Sequence, residues 1–231
     1  VAEELAGRLP TPATVVDIGS GHGDGVTALV AEGYTVTAIE PTARIREVGK
    51  QNVPNATWID ALGEKTGLAG ASFDAVTSTF GSMFCDPIAG PAEWARILRP
   101  GGELVMTAWN QKGFLATMTD AMMEAVNPGS SKQTPPHMAW GIDEAAHERL
   151  SQWFESIHIE HRELDWTFDS VEDGMRLYRE GSPTHAWMAE NIGPHREALW
   201  TALRDHLESH ADTSGRVNST TGYVLITARR R

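Results

Sequence analysis

The stretch Val15-Val16-Asp17-Ile18-Gly19-Ser20-Gly21-His22-Gly23-Asp24-Gly25 decides the fold. A β-branched apolar run enters a cluster of glycines and leaves as a helix, expected over 25–32. Glycine lets the backbone turn tightly and come within contact distance of a ligand. Working outward, strand-like runs at 14–18, 34–39, 56–59, 73–78 and 103–109 alternate with helical stretches at 42–51 and 92–98. The second helix is stopped by Arg99-Pro100-Gly101-Gly102, a strong end and turn. This alternation predicts an α/β fold, a mostly parallel sheet with helices on both faces.

The second half reads differently. Pro128, Pro135 and Pro136 interrupt 110–142, leaving loops and a methionine-bearing helix over 114–126. A helix over 143–155 has Asp143 as its expected N-cap. A strand over 157–168 follows. Next comes a helix over 170–180, opened by the Ser170/Asp173 pair. A helix over 194–210 carries Ala198, Leu199, Ala202, Leu203 and Leu207 on one face. A last strand at 223–228 brings the sheet to seven. The final two strands are expected as an antiparallel hairpin with 170–221 inserted between them. We read 1–231 as one domain, with 1–109 the cofactor-binding half and 110–155 and 170–221 the substrate-side insertions.

The 231 residues carry 19 Lys+Arg against 31 Asp+Glu, a formal charge of -12. Phosphate backbones need an excess of basic side chains, so nucleic acid is not an expected partner. Both halves are acidic, and no basic module is hidden in either. No apolar run reaches the ~20 residues of a membrane span, and the opening residues lack a basic and then apolar leader, so neither a membrane partner nor a secretory signal is expected. The one cysteine, Cys85, excludes an internal disulfide and a cysteine-based zinc site, and makes a reducing cytoplasm the expected compartment.

The glycine loop narrows the ligand. A dinucleotide fingerprint places a third glycine where Asp24 stands, and an acidic side chain at a helix start repels a pyrophosphate. The spacing is G-x-G-x-G, from Gly19, Gly21 and Gly23, with Asp17 two residues ahead. Glu40, ending the second strand, can accept both hydroxyls of a ribose. Asp60, ending the third strand beside the Ala61 N–H, can address an adenine edge. A cation, a ribose and a base are provided for and a phosphate is not. S-adenosylmethionine has that make-up.

These residues resemble the class I S-adenosylmethionine-dependent methyltransferases over about residues 10–110. Asp17-Ile18-Gly19-Ser20-Gly21-His22-Gly23 matches the D-x-G-x-G-x-G loop, Glu40 the ribose-binding acidic residue and Asp60 the adenine-side one. The segment from Phe73 to Phe80 resembles the family's fourth strand, and Leu98-Arg99-Pro100-Gly101-Gly102 its pre-strand turn. Phe80-Gly81-Ser82-Met83-Phe84 and Thr107-Ala108-Trp109-Asn110 are most similar to the small-molecule branch near the ubiquinone/menaquinone methyltransferases. The resemblance implies a Rossmann-like sheet, an S-adenosylmethionine cofactor and methyl transfer to a small molecule. It implies cofactor contacts from Asp17, Gly19, Ser20, Gly21, Gly23, Glu40, Pro41, Asp60, Ala61, Thr79 and Phe80. Only 2–9 precede the first strand, so a short lid or none is expected.

Transfer from a sulfonium asks the protein to hold the acceptor in line and exclude water. An oxygen or carbon acceptor also calls for a base. His137 and His185 are candidates by residue type, and Trp109, Phe84, Trp140 and Trp187 are candidates for an aromatic acceptor wall. No metal is expected: His158 and His161 fall on opposite faces of a strand, and His206 and His210 lack a third ligand. Two rival readings stay open: a non-catalytic S-adenosylmethionine-binding regulator, and a nicotinamide oxidoreductase.

Overall fold

The computed structural model describes residues 1–129 and 136–231, without the side chains of 136–138, 183, 184 and 187. The elements run α1 (Ala2–Ala6), β1 (Thr14–Ile18), α2 (Asp24–Ala31), β2 (Thr35–Ile39), α3 (Ala43–Asn52), β3 (Thr57–Ile59) and β4 (Phe73–Thr79). Then follow α4 (Ala89–Ile97), β5 (Leu98–Gly113), α5 (Phe114–Val126), α6 (Asp143–Leu150), β6 (Phe154–Phe168) and α7 (Val171–Arg176). The last are α8 (Pro183–Asn191), α9 (Arg196–Ser209) and β7 (Val217–Arg230). The seven strands lie in the order β3-β2-β1-β4-β5-β7-β6. The β1–β2, β1–β4, β2–β3 and β4–β5 pairs are parallel, and the C-terminal strands are antiparallel.

Two compact units divide the chain. The first comprises Val1–Trp109, Pro136–His161 and Val224–Arg231, and the second Asn110–Pro135 and Arg162–Tyr223. The cut therefore places 136–155, expected with the insertions, in the first unit.

In the first unit, side chains alternate across the sheet and build two cores. Val16, Ile18, Val76, Leu104 and Met106 pack with Trp94 and Ile97 of α4 and Leu150 of α6. Val15, Val36, Ala38, Ala75 and Val105 pack on the opposite face with Leu5 of α1 and Val26 and Leu29 of α2. Strands covered on both faces read as unbroken apolar runs, which is why β1 was legible from sequence. Asp17, Thr77 and Thr79 share the parity of Val15 and Ala75, so this face carries the polar groups of the site.

The second unit has a core of its own. Phe114, Met118 and Met122 of α5 pack with Met175, Tyr178, Leu199, Trp200, Leu203, Leu207 and Val217. Met118 and Met122 of the methionine-bearing helix are thus core. Ser170 caps α7, with the Asp173 N–H donating to its Oγ at 3.1 Å.

Several boundaries differ from expectation. The helix expected over 143–155 ends at Leu150, and Ile142 rather than Asp143 is its N-cap; Asp143 instead bonds His161 Nε2 at 2.8 Å. The helix over 170–180 stops at Arg176 and passes through one π turn, Leu177–Gly181, before Pro183 opens α8. Strand β5 continues past Trp109 to Gly113. It opens at Leu98 without a separate turn, because the β4–β5 register shifts between Phe73↔Leu98 and Ala75↔Glu103 and takes up Arg99–Gly102 as an irregularity. Among the described residues, no helix is long and apolar enough to cross a membrane.

Candidate functional site

The loop after β1 is folded by its own glycines. Gly19, Gly21 and Gly23 all have positive φ, at 68°, 56° and 97°. At Gly19 the reason is contact as well as conformation, since a Cβ there would lie 2.8 Å from the Gly81 Cα. At Gly21 a Cβ would meet nothing within 4 Å, so the loop faces open space at that point. The Gly19 and Ser20 N–H groups both donate to the Ile39 carbonyl, at 2.9 and 3.0 Å, which ties the loop to the tip of β2. His22 is exposed, and Asp24 is the first residue of α2, placing a negative charge at that helix start.

Asp17 is buried beneath the loop. Its register partner on β4 is Thr77, whose hydroxyl donates to Asp17 Oδ1 at 2.7 Å. Burial lifts the Asp17 carboxyl from 3.8 to about 6, against the lowering effect of the Thr77 bond. Asp17 Oδ2 and Thr79 Oγ1 lie 3.9 and 3.3 Å from where a Gly25 Cβ would stand, so the carboxylate and the hydroxyl both lie against the start of α2. Ser20 Oγ turns inward, donating to the Asp17 carbonyl at 2.9 Å.

Glu40 is also buried. Its Oε2 accepts from the Gly21 N–H at 3.1 Å and its Oε1 from the Thr42 N–H at 2.8 Å. Each oxygen retains a lone pair, so this carboxylate is fixed in place and still able to accept. Pro41 is exposed just after it. Asp60 follows β3, and its Oδ2 accepts from Arg46 at 2.8 Å. Ala61 is half-buried beside it.

Phe80, the residue after β4, and Trp109, two residues beyond the last β4–β5 pair, stack with ring centroids 3.7 Å apart and planes 11° from parallel. Phe84, in a 3-10 turn over Ser82–Phe84, is 69% exposed. Trp140, expected on an acceptor wall, is instead in the first unit's core: it packs against Trp94 at 5.9 Å, with Arg149 stacked over it at 4.8 Å. An apolar ring flanked by α6 and α4 lowers its exposed area most by going inside.

In the second unit, His185 of α8 has its Nδ1 2.7 Å from Ser182 Oγ and lies edge-on to Tyr178 at 4.9 Å. Burial lowers its pKa. The side chains of His137 and Trp187 lie outside the described residues. The Cys85 thiol is pushed up to about 12, chiefly by burial and by nearby Glu64. Among the described residues, no group of three His, Cys, Asp or Glu could hold a metal.

Several contributors were not singled out from sequence. Thr77 and Gly81 reach Asp17 and Gly19 only through the β1–β4 pairing. Trp58 packs over Gly23 and Gly49 and donates Nε1 to the Val53 carbonyl at 3.1 Å. Arg46 links β2 and β3. A glycine inside α3, Gly49, was the available hint of the Trp58 contact.

A family model described as "Methyltransferase domain" matches residues 16–106. A demethylmenaquinone methyltransferase of Renibacterium salmoninarum is 33% identical over 182 residues, 72% of this chain and 75% of that protein. The chain belongs to the class I S-adenosylmethionine-dependent methyltransferases. An uncharacterized methyltransferase of Mycobacterium tuberculosis is 34% identical over 111 residues, 48% of this chain and 45% of that one, so the match spans under half of that relative. The YcgJ protein of Bacillus subtilis shares the fold, with a TM-score of 0.66 at 15% identity over 100% of this chain and 97% of that one. The donor set gathered at these strand tips suits the family's cofactor. It has two buried carboxylates held by hydrogen bonds, an open glycine loop, and the acidic Asp24 at the start of α2.

Proposed function

We propose that this protein transfers a methyl group from S-adenosylmethionine to a small-molecule acceptor. The observation that carries this reading is Glu40: its carboxylate is clamped by the Gly21 and Thr42 N–H groups, yet keeps acceptor capacity beside the open loop. In this reading Glu40 accepts the ribose hydroxyls and Asp60 the adenine amino group. Asp17, with Gly19, Ser20, Gly21, Gly23 and Thr79, receives the cationic amino-acid end. Pro41, Ala61 and Phe80 complete the contacts. The cofactor supplies a methyl already activated by the positive sulfur.

The protein's share is to position the acceptor and exclude water. Trp109, stacked on Phe80, and exposed Phe84 offer aromatic surface for it. We assign acceptor choice to these residues and to the stretches 110–155 and 170–221. His185 suits proton transfer: burial keeps it neutral, and the Ser182 hydroxyl at Nδ1 fixes the ring. An acidic chain with a single cysteine fits a cytoplasmic enzyme of metabolites rather than of nucleic acid.

Calorimetric titration with S-adenosylhomocysteine and with NADH tests the cofactor. Heat from the first alone is expected, and binding of the dinucleotide alone overturns the reading. Incubation with methyl-labelled cofactor and a metabolite extract then identifies the acceptor by mass. Equal affinity for cofactor and demethylated product, with no compound labelled, would favour the regulator instead.

A further inference from the structure

Arg46 brings a cation into the floor of the site. It is only 8% exposed, although it lies on α3, a helix otherwise mostly in solvent. One guanidinium nitrogen donates to the Glu40 carbonyl at 2.6 Å and another to Asp60 Oδ2 at 2.8 Å. A single planar group therefore spans the tips of β2 and β3. The guanidinium fork is rigid, so the separation of its two partners is set by covalent geometry, and an ammonium cannot satisfy both in the same way.

The Asp60 side chain is 68% exposed. An exposed carboxylate ordinarily samples several rotamers at little cost, and would offer a ligand no fixed acceptor. Arg46 holds it through Oδ2 and leaves Oδ1 to accept. The Arg46 guanidinium also offsets part of the Asp60 charge. The free oxygen of Asp60 can accept from a neutral N–H donor.

We propose that Arg46 is a positioning residue for the base of the cofactor. It acts through Asp60, fixing the carboxylate oxygen that takes the adenine amino group, and so sets the preference for adenine over a purine that lacks that group. This rests on the assignment of S-adenosylmethionine made above.

Calorimetry tests it with S-adenosylhomocysteine and its 6-deamino purine analogue, on the wild type, Arg46→Met, Arg46→Lys, Asp60→Ala and the Arg46→Met/Asp60→Ala pair. The wild type should prefer the amino-bearing ligand by about tenfold, the low end of what one hydrogen bond to a charged acceptor is worth. Arg46→Met should weaken S-adenosylhomocysteine about tenfold and bring the preference within about twofold of unity. Arg46→Lys should fall between. In the Asp60→Ala background, Arg46→Met should leave the preference where it was. Should Arg46→Met lower thermal stability too far to titrate, Arg46→Lys carries the same comparison. Equal weakening of both ligands by the Arg46 variants, or an unchanged preference, overturns the role of Arg46 while the cofactor assignment stands. A wild type that binds neither ligand overturns the assignment itself.

Discussion

The glycine-loop unit and the Asn110–Pro135/Arg162–Tyr223 unit bury charged groups to very different degrees. In the first, two carboxylates and a guanidinium, Asp17, Glu40 and Arg46, are buried, and hydrogen bonds at 2.6 to 3.1 Å hold them. The second has a core of Phe, Met, Leu, Trp and Tyr side chains between helices. A buried charge is costly unless partnered, so a site that keeps three of them reveals where binding energy is to be recovered. An apolar core reveals stability and little about chemistry. The lesson is that the first unit can be read for a ligand from its polar interior, while the second must be probed from its surface.

Variants can break or sharpen that contrast. The largest effect is expected in the second core. Leu203→Ala should cost about 2–5 kcal/mol of unfolding free energy, read by denaturant titration, while S-adenosylhomocysteine affinity at 10 °C stays within about twofold of wild type. A large affinity loss would mean that the second core does more than stabilise.

Asp17 comes next, and its sign is opposite to that of a salt-bridged acid. Its carboxyl is raised from 3.8 to about 6 in the folded state. The folded protein therefore binds the proton more tightly than the unfolded chain. Stability is full below about pH 3.8 for this group and declines as pH rises to about 6, by on the order of 3 kcal/mol. Asp17→Asn should remove that slope from the pH–stability profile and also weaken cofactor binding. A slope unchanged in the variant would show that the burial of Asp17 is not its origin.

Glu40→Ala should weaken cofactor binding by about 1–3 kcal/mol in a calorimetric titration, with unchanged affinity discrediting the ribose assignment. The smallest effect lies in the second unit at the start of α7. Ser170→Ala removes the bond to the Asp173 N–H and should cost about 1 kcal/mol of stability by thermal melting, with no change in cofactor affinity.

The legible part of the molecule was the part governed by neighbours in the chain. The apolar run of β1, the glycine spacing and the acidic residues at strand ends are local patterns, and the structure places Asp17, Glu40 and Asp60 at the tips of β1, β2 and β3. Helix α9 likewise buries Leu199, Leu203 and Leu207, as its period required. Less was legible where packing competes with propensity. Trp140 went into a core that sequence could not locate, and the helix expected to reach residue 155 yielded to β6, which starts at Phe154.

Sequence alone determined the order of the seven strands along the chain, the turn-forming glycines and the acidic character of the loop, because these follow from backbone torsions and side-chain period; the helices α1 and α8 were not among the elements legible in it. Tertiary structure alone decided that Thr77 meets Asp17, that Gly81 lies against Gly19, and that Arg46 reaches Asp60. Those partners stand 60, 62 and 14 residues apart in the chain. Parallel pairing, which joins strands through long crossovers, is what brings them into contact.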